Sequence, residues 1–137
     1  MGLGERVGNF LLKPGNYTLL PGKTEYGWDN GYGERQGYGQ HPFLMIQLNS
    51  TRFIGVYLAN MRPAQVSITP VLGSDTDSIL TFRVIGGNLD FYFFGGPNFN
   101  AVVQEYQWII GFPKMLPSWA HGLHAKSFAF YDSDMVS

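Results

Sequence analysis

The sequence contains no cysteine, which excludes disulfide bonds and any catalysis or metal binding through a thiolate. Charged residues are also scarce. They make up 14% of the 137 residues, against about a quarter in ordinary soluble domains. A surface so poor in charge indicates that part of the chain packs against other protein. The formal net charge is −1 and the basic residues do not cluster, so we expect no nucleic-acid partner.

Long apolar runs are missing as well. No stretch approaches the roughly 20 residues that a transmembrane helix requires, so we predict no membrane span. The histidines show no ligand spacing with supporting carboxylates, so we predict no metal site and no cofactor. A chain of 137 residues is one domain at most, and is large enough to bury a core.

Short apolar segments separated by turn sequences run along most of the chain. Eighteen glycines and eight prolines fit many turns between short strands rather than long helices. We predict strands at residues 17–20, 43–48, 53–58, 66–71, 79–85 and 89–94. From Phe43 onward we expect them to pair in chain order as an antiparallel meander, with Gly86-Gly87-Asn88 as a tight turn.

One segment has helical periodicity instead. Between Pro97 and Ile110 apolar residues recur at the spacing of one helix face. The residues of this stripe are Val102, Val103, Tyr106, Ile109 and Ile110. Asn98 or Asn100 can cap the start of the helix, and Gly111 with Pro113 ends it.

Residues 23–40 form a long loop rich in glycine and tyrosine, called the Gly/Tyr loop below. Aromatic side chains can lie flat on the apolar face of a pyranose ring. Trp28, Tyr26 and Tyr32 are therefore candidates for binding carbohydrate. The alternative is a loop that its own aromatic side chains tie down.

Two Asn-X-Thr tripeptides, at Asn16 and Asn49, are candidate N-glycosylation sites if the protein is secreted. Residues 1–6 lack the basic and apolar regions of a signal peptide. We therefore expect either a cytosolic protein or a chain whose natural start lies further upstream. An upstream start would favour a secretory, vacuolar or extracellular location.

Ordered sequence blocks extend over nearly the whole chain. They are Gly2-Leu3-Gly4-Glu5, Tyr17-Thr18-Leu19, Tyr38-Gly39-Gln40-His41-Pro42-Phe43, Ile54-Gly55-Val56-Tyr57-Leu58, Leu80-Thr81-Phe82-Arg83 and Gly87-Asn88-Leu89-Asp90-Phe91-Tyr92, followed by Tyr106, Ile110-Gly111, Pro113, Pro117, Trp119, Gly122 and His124. In this order they resemble a segment of glycoside hydrolase family 31, the α-glucosidase and sucrase-isomaltase family.

The resemblance implies a mainly β fold: an incomplete antiparallel β-sandwich of the galactose-mutarotase-like type, followed by one helix and a terminal strand. Residues 1–96 would belong to the sandwich, 97–116 to a connecting helix and linker, and 117–137 to the first strand of a truncated catalytic barrel. That strand is expected from Trp119 to Phe130. The implied activity is hydrolysis of terminal α-linked sugars with retention, in carbohydrate metabolism.

Retention requires two carboxyl groups about 5–5.5 Å apart, and in the family both lie inside the barrel, in motifs absent here. We therefore predict no catalytic residue in this chain. The pairs Asp75/Asp77 and Asp132/Asp134 are expected to be solvated loop acids. Asp90 lies among aromatic residues, so we expect it to be partly buried and structural.

Two departures from the family weaken sugar recognition. In the family's Tyr-Thr-Leu-Trp-x-x-Asp loop, the tryptophan is here replaced by Leu20 and the aspartate by Lys23. An arginine of the family's first barrel strand is replaced by Ser127. Of the histidines, His124 is a weak candidate for lining a sugar site. His41 is expected to be structural and His121 incidental.

Three hypotheses remain open. The chain can be a portion of a retaining α-glucosidase, silent alone and in contact with a barrel domain or other chains. It can instead be a non-catalytic carbohydrate-binding or assembly module, whose ligand would be an α-linked oligosaccharide. A degenerate product without selected function is the third.

Overall fold

A computed structural model describes residues 1–21 and 35–124; for Val7 and Arg35 it describes the backbone alone. The strands are β1 Arg6–Val7, β2 Gly15–Leu19, β3 Arg35–Gln36, β4 Phe43–Gln47, β5 Phe53–Leu58, β6 Ala64–Pro70, β7 Ser78–Val84 and β8 Phe91–Gly96. The helix α1 spans Phe99–Ile110, and a 3-10 turn spans Ser118–His121.

Two three-stranded antiparallel sheets and a short ribbon organise these strands. The first sheet has the order β4-β5-β8 and the second the order β2-β6-β7, while β1 pairs with β3 in the ribbon. The sheets pack face to face and α1 covers the outer face of the first sheet. The predicted β-sandwich followed by a helix is therefore confirmed.

The predicted meander is wrong. The β4–β5 and β6–β7 hairpins form as expected, but they lie in different sheets. The chain crosses between the sheets after β5 and returns after β7, so Gly86-Gly87-Asn88 is part of a crossover and not a hairpin turn. The crossover lets aromatic rings of facing sheets meet, since the Phe82 and Phe91 rings lie 5.2 Å apart.

Asn60 fastens the two crossovers to each other. Its amide nitrogen donates to the carbonyl oxygens of Gly86 and Asn88, both at 2.9 Å, and its amide oxygen accepts from the Arg62 backbone at 2.8 Å. The side chain is only 8% exposed. A buried amide with three partners fixes the path of both connections.

The main core lies between the sheets, where alternate residues of each strand point inward. Its buried members are Leu3, Tyr17, Leu19, Leu44, Ala64 and Val66. A second cluster lies between α1 and the first sheet, around Met45, Phe94 and Val102. The chain therefore forms three layers: helix, first sheet, second sheet.

Close approach of α1 to the first sheet depends on two glycines. A Cβ atom on Gly55 would lie 2.8 Å from both Phe43 Cε2 and Val102 Cγ1. A Cβ atom on Gly96 would lie 2.9 Å from Ala101 Cβ. The absence of side chains at these positions lets Val102 reach the sheet, where it is fully buried.

The helix ends follow the sequence prediction. Asn98 is the N-cap, and its side chain accepts from the backbone N–H of Ala101 at 3.0 Å. Gly111 is the C-cap with φ 96°, a conformation that favours glycine. The predicted stripe is confirmed only at its beginning, because Ile109 and Ile110 remain about half exposed.

The Gly2-Leu3-Gly4-Glu5 block extends the first sheet along the edge of β4. Leu3 N–H donates to Phe43 O at 2.8 Å, and Glu5 N–H donates to Gly39 O at 2.7 Å. Gly2 and Gly4 have φ of 129° and 84°, and a Cβ on either would lie within 2.4 Å of a backbone oxygen. The two glycines thus permit Leu3 to enter the core.

Candidate functional site

The candidate carbohydrate-binding residues fall into two groups. Trp28, Tyr26 and Tyr32, together with Lys23, lie outside the described residues. His124 is described and exposed. The structure therefore describes two parts of the candidate site, which are the base of the Gly/Tyr loop and the segment around His124.

Gln36 joins the two ends of the Gly/Tyr loop. Its amide oxygen accepts from the Leu20 backbone N–H at 2.6 Å, and its amide nitrogen donates to the Leu20 carbonyl at 3.0 Å. The same carbonyl accepts from the side chain of Gln40. Gln36 is 3% exposed. It belongs to β3, a strand within the segment that the sequence predicts to be a loop.

Glu5 holds the following turn of chain. Its carboxylate oxygen Oε2 accepts from the backbone N–H groups of Tyr38 and Gly39, at 2.9 and 3.1 Å. Gly37 passes so close that a Cβ atom there would lie 2.5 Å from the Glu5 Cδ atom. The carboxylate thus fixes the backbone of the turn at the base of the Gly/Tyr loop.

Arg6 braces the strand that precedes the loop. Its guanidinium donates to the Thr18 carbonyl at 2.5 Å and lies 5.3 Å from the centre of the Tyr17 ring, within the range of a cation–π contact. Tyr17 in turn donates its hydroxyl to Lys13 O at 2.5 Å. Arg6, Glu5, Gln36 and Gln40 thus converge on the chain at both ends of the Gly/Tyr loop.

His124 stands beside Trp119 at the other part of the candidate site. Their ring centres are 6.1 Å apart at an interplanar angle of 72°, an edge-to-face arrangement. Trp119 is 74% exposed. The 3-10 turn replaces the start of the strand predicted from Trp119, and residues 125–130 lie outside the described part. His121 contacts the Leu116 carbonyl through Nε2 at 3.3 Å.

Large apolar side chains remain exposed on the last turn of α1 and after it. This apolar patch consists of Trp108, Ile109, Ile110, Phe112, Met115, Leu116, Trp119 and Leu123. Trp108 is 65% exposed and Leu123 is 94% exposed. Groups of exposed apolar side chains are typical of protein–protein contacts.

All three described aspartates lie in exposed segments. Asp75 and Asp77 lie in an exposed turn, where Ser74 Oγ accepts from the Thr76 and Asp77 backbone. Asp90 is exposed, so the expectation of partial burial is wrong; its backbone carbonyl accepts from Ala59 N–H at 2.8 Å. The Asp90 side chain points outward because the crossover to β8 keeps this segment at the surface.

Within residues 1–21 and 35–124, no three histidine, aspartate or glutamate side chains group closely enough to hold a metal ion. No helix in the same part of the chain is long and apolar enough to cross a membrane.

The fold changes the ionisation of Tyr106. Burial between α1 and the first sheet, and secondarily the nearby Tyr57, raise the pKa of Tyr106 from 10.0 to about 12. The ring stacks on Phe43 at 4.2 Å and meets the edge of Tyr57 at 5.2 Å. The phenol is therefore held neutral as a packing group.

The sequence did not predict the positioning roles of three residues: Glu5, Gln36 and Asn60. Each acts on backbone far away in sequence, with separations of 16 to 34 residues. No local pattern signals such contacts. Local features such as Gly4 before Glu5, and the placement of Asn60 just after a strand, do not identify the distant partners.

Comparison with known proteins identifies the relatives of this chain. No family model matches it. It is 32% identical over 73% of its length to the "Probable alpha/beta-glucosidase" of Arthroderma benhamiae. It is 35% identical over 72% of its length to intestinal sucrase-isomaltase of Rattus norvegicus, and 33% identical over 98% to the lysosomal alpha-glucosidase of the same species.

The chain spans only a small part of these relatives. It covers 12% of the Arthroderma protein, 5% of sucrase-isomaltase and 13% of the lysosomal alpha-glucosidase. The matches agree with the ordered blocks of the sequence and with the sandwich-and-helix fold. The chain therefore belongs to glycoside hydrolase family 31.

Proposed function

We propose that this chain is the portion of a retaining α-glucosidase that forms part of the sandwich and leads into the catalytic barrel. In this proposal the two catalytic carboxylates lie outside the 137 residues. Two of these relatives carry glucosidase names and the third is a sucrase-isomaltase, and each is matched over 13% of its length or less. A chain that matches so small a part of its relatives is expected to form supporting structure and not a complete active site.

The apolar patch carries this proposal. Its side chains follow one another along the end of α1 and the segment that comes after it in the sequence. Their exposure leaves apolar surface in contact with water, at a free-energy cost of roughly 25 cal/mol per Å². Covering the patch with the barrel would remove that cost. The low charge content of the chain supports the same interpretation.

The fixed base of the Gly/Tyr loop supports a contribution to substrate binding. Glu5 and Gln36 hold the chain on both sides of the loop, through charged and bidentate hydrogen bonds. Such anchoring limits the freedom that a binding loop must lose on contact with a ligand. Trp28, Tyr26 and Tyr32 are the proposed contacts to an α-linked oligosaccharide.

A second candidate function is a non-catalytic carbohydrate-binding or assembly module. The exposed Trp119, edge-to-face with His124, favours it, because an exposed indole offers a face on which a sugar can stack. Leu20, Lys23 and Ser127 occupy positions where the family carries sugar-recognition residues, which also favours loss of catalysis.

The first experiment is to isolate the native polypeptide with an antibody to this segment, then measure its intact mass and its hydrolysis of an α-glucoside. We expect a mass several times 15.3 kDa and release of the α-anomer of glucose, seen by NMR before mutarotation. The recombinant 137-residue chain should be inactive. Hydrolysis by that chain alone would refute the placement of the carboxylates.

A native product near 15.3 kDa would instead favour the second function. Maltose titration of the chain then decides between sugar binding and assembly. Trp28→Ala and Trp119→Ala should each weaken binding, whereas Leu72→Ala, at a fully exposed position, is the matched control. A monomer without maltose affinity would contradict both forms of the module.

A further inference from the structure

The fold places the two Asn-X-Thr tripeptides in different settings. Asn16 lies inside β2, whose residues all pair with β6, and Asn16 itself is opposite Ser67. Asn49 lies in the turn between β4 and β5, outside both strands. All three residues of the Asn49 tripeptide are exposed, whereas in the Asn16 tripeptide Asn16 is exposed, Thr18 is half-buried and Tyr17 is a core residue at 4% exposure.

The Asn49 side chain has a fixed orientation. Its amide oxygen accepts three hydrogen bonds: from Thr51 N–H at 3.0 Å, from Thr51 Oγ1 at 3.1 Å and from Arg52 N–H at 2.8 Å. Because the amide group is planar, its nitrogen lies on the branch directed away from these donors. The turn thus presents the amide nitrogen, with the threonine hydroxyl beside the same amide.

Asn16 is held by the second sheet. Its amide oxygen accepts from Ser67 Oγ at 2.6 Å, and Ser67 is 7% exposed. The carbonyl of Thr18 accepts from the Arg6 guanidinium at 2.5 Å. An enzyme that binds the tripeptide backbone would have to separate β2 from β6 and withdraw Tyr17 from the core.

The Asn49 turn also lies at the end of the first sheet remote from the last turn of α1, where the apolar patch begins. The Phe53 ring is 6.1 Å from that of Phe99, at the start of α1, and the Tyr57 ring is 5.2 Å from that of Tyr106, near its end. The six residues of β5 span roughly 20 Å. A bulky group on Asn49 is therefore distant from the last turn of α1, where the apolar patch begins.

We propose that Asn49 is an N-glycosylation site and that Asn16 is not. In the reaction Asn49 Nδ2 bonds to the anomeric carbon of an oligosaccharide carried on a polyprenyl diphosphate. The bond from that carbon to the diphosphate oxygen breaks, the diphosphate leaves with the electron pair, and the amide nitrogen loses one proton. The product is a solubilising glycan on an exposed turn.

The test expresses the full chain behind a cleavable signal peptide in a eukaryotic secretory host. Signal-cleaved protein from cells and medium is treated with peptide N-glycosidase in H₂¹⁸O, and its peptides are analysed by mass spectrometry. We expect ¹⁸O-labelled aspartate at position 49 and unmodified asparagine at position 16. This measurement needs no variant and so does not depend on the stability of a mutant.

Matched variants separate the tripeptide chemistry from the turn. N49Q and T51A should abolish the mobility shift that glycosidase treatment reverses, whereas S50A and N16Q should leave it unchanged. Label at Asn16 would overturn the assignment of that site, and signal-cleaved protein without label at Asn49 would overturn the proposal itself. A shift that survives T51A would do the same.

Discussion

Gly55→Ala tests the packing of α1 on the first sheet directly. The added Cβ would lie 2.8 Å from Phe43 Cε2 and 2.8 Å from Val102 Cγ1, closer than nonbonded carbon atoms approach each other. The Phe43 ring cannot retreat easily, since it stacks on Tyr106 at 4.2 Å. We expect a loss of about 2 kcal/mol in the free energy of unfolding, the usual cost of overpacking.

A double-mutant cycle with Val102→Ala separates the two contributions to this energy, the contact of the new methyl with Val102 and its contact with Phe43. Val102 is fully buried, so its truncation alone should cost about 2 kcal/mol through lost contacts and a cavity. In the double variant the new methyl at position 55 enters that cavity, but the contact with Phe43 remains. We expect the double variant to lose about 1 kcal/mol less than the sum of the single losses.

Urea unfolding followed by circular dichroism at pH 7 measures these energies. Gly95→Ala is the matched control, because nothing lies within 4 Å of the Cβ position at Gly95 on the neighbouring strand β8. We expect it to change the free energy of unfolding by less than about 0.5 kcal/mol. Equal effects of the two substitutions, or strict additivity in the cycle, would refute the packing argument.

Three further predictions concern single residues. Asn60→Asp should cost about 3 kcal/mol at pH 7, because the carboxylate faces two carbonyls that it cannot donate to; the loss measured at pH 4 should be smaller. Glu5→Gln should speed amide exchange at Tyr38 and Gly39 by weakening two charge-assisted bonds of about 1 kcal/mol, while Glu105→Gln leaves it unchanged. Through Tyr106, raising the pH from 10 to 12 should lower the free energy of unfolding by an amount on the order of 1 kcal/mol, after allowance for solvent screening. Tyr106 is neutral in both states below pH 10, but at higher pH the unfolded chain loses a proton that the folded chain retains. Tyr106→Phe should lessen this alkaline loss of urea resistance.

Local sequence patterns predicted six strands and the helix with their approximate boundaries, but not the two-residue strands β1 and β3. The β4–β5 hairpin, the Asn98 cap and the Gly111 end of α1 each depend on neighbouring residues, so they can be read from a short window. The family blocks added the sandwich and its helix. Of the candidate site, the sequence indicated the Gly/Tyr loop, but not Gln36 or Glu5, which fix its base.

The sequence by itself determined the six longer strands, where the helix begins and ends, and to which family the chain belongs, because these follow from periodicity, caps and ordered blocks. The tertiary structure decided which strands pair, since the choice between a meander and a crossover depends on the buried amide of Asn60 and on aromatic contact between the sheets. It also decided that Ile109, Ile110 and Asp90 face outward. Contacts between residues far apart in sequence set these outcomes, and no local pattern encodes such contacts.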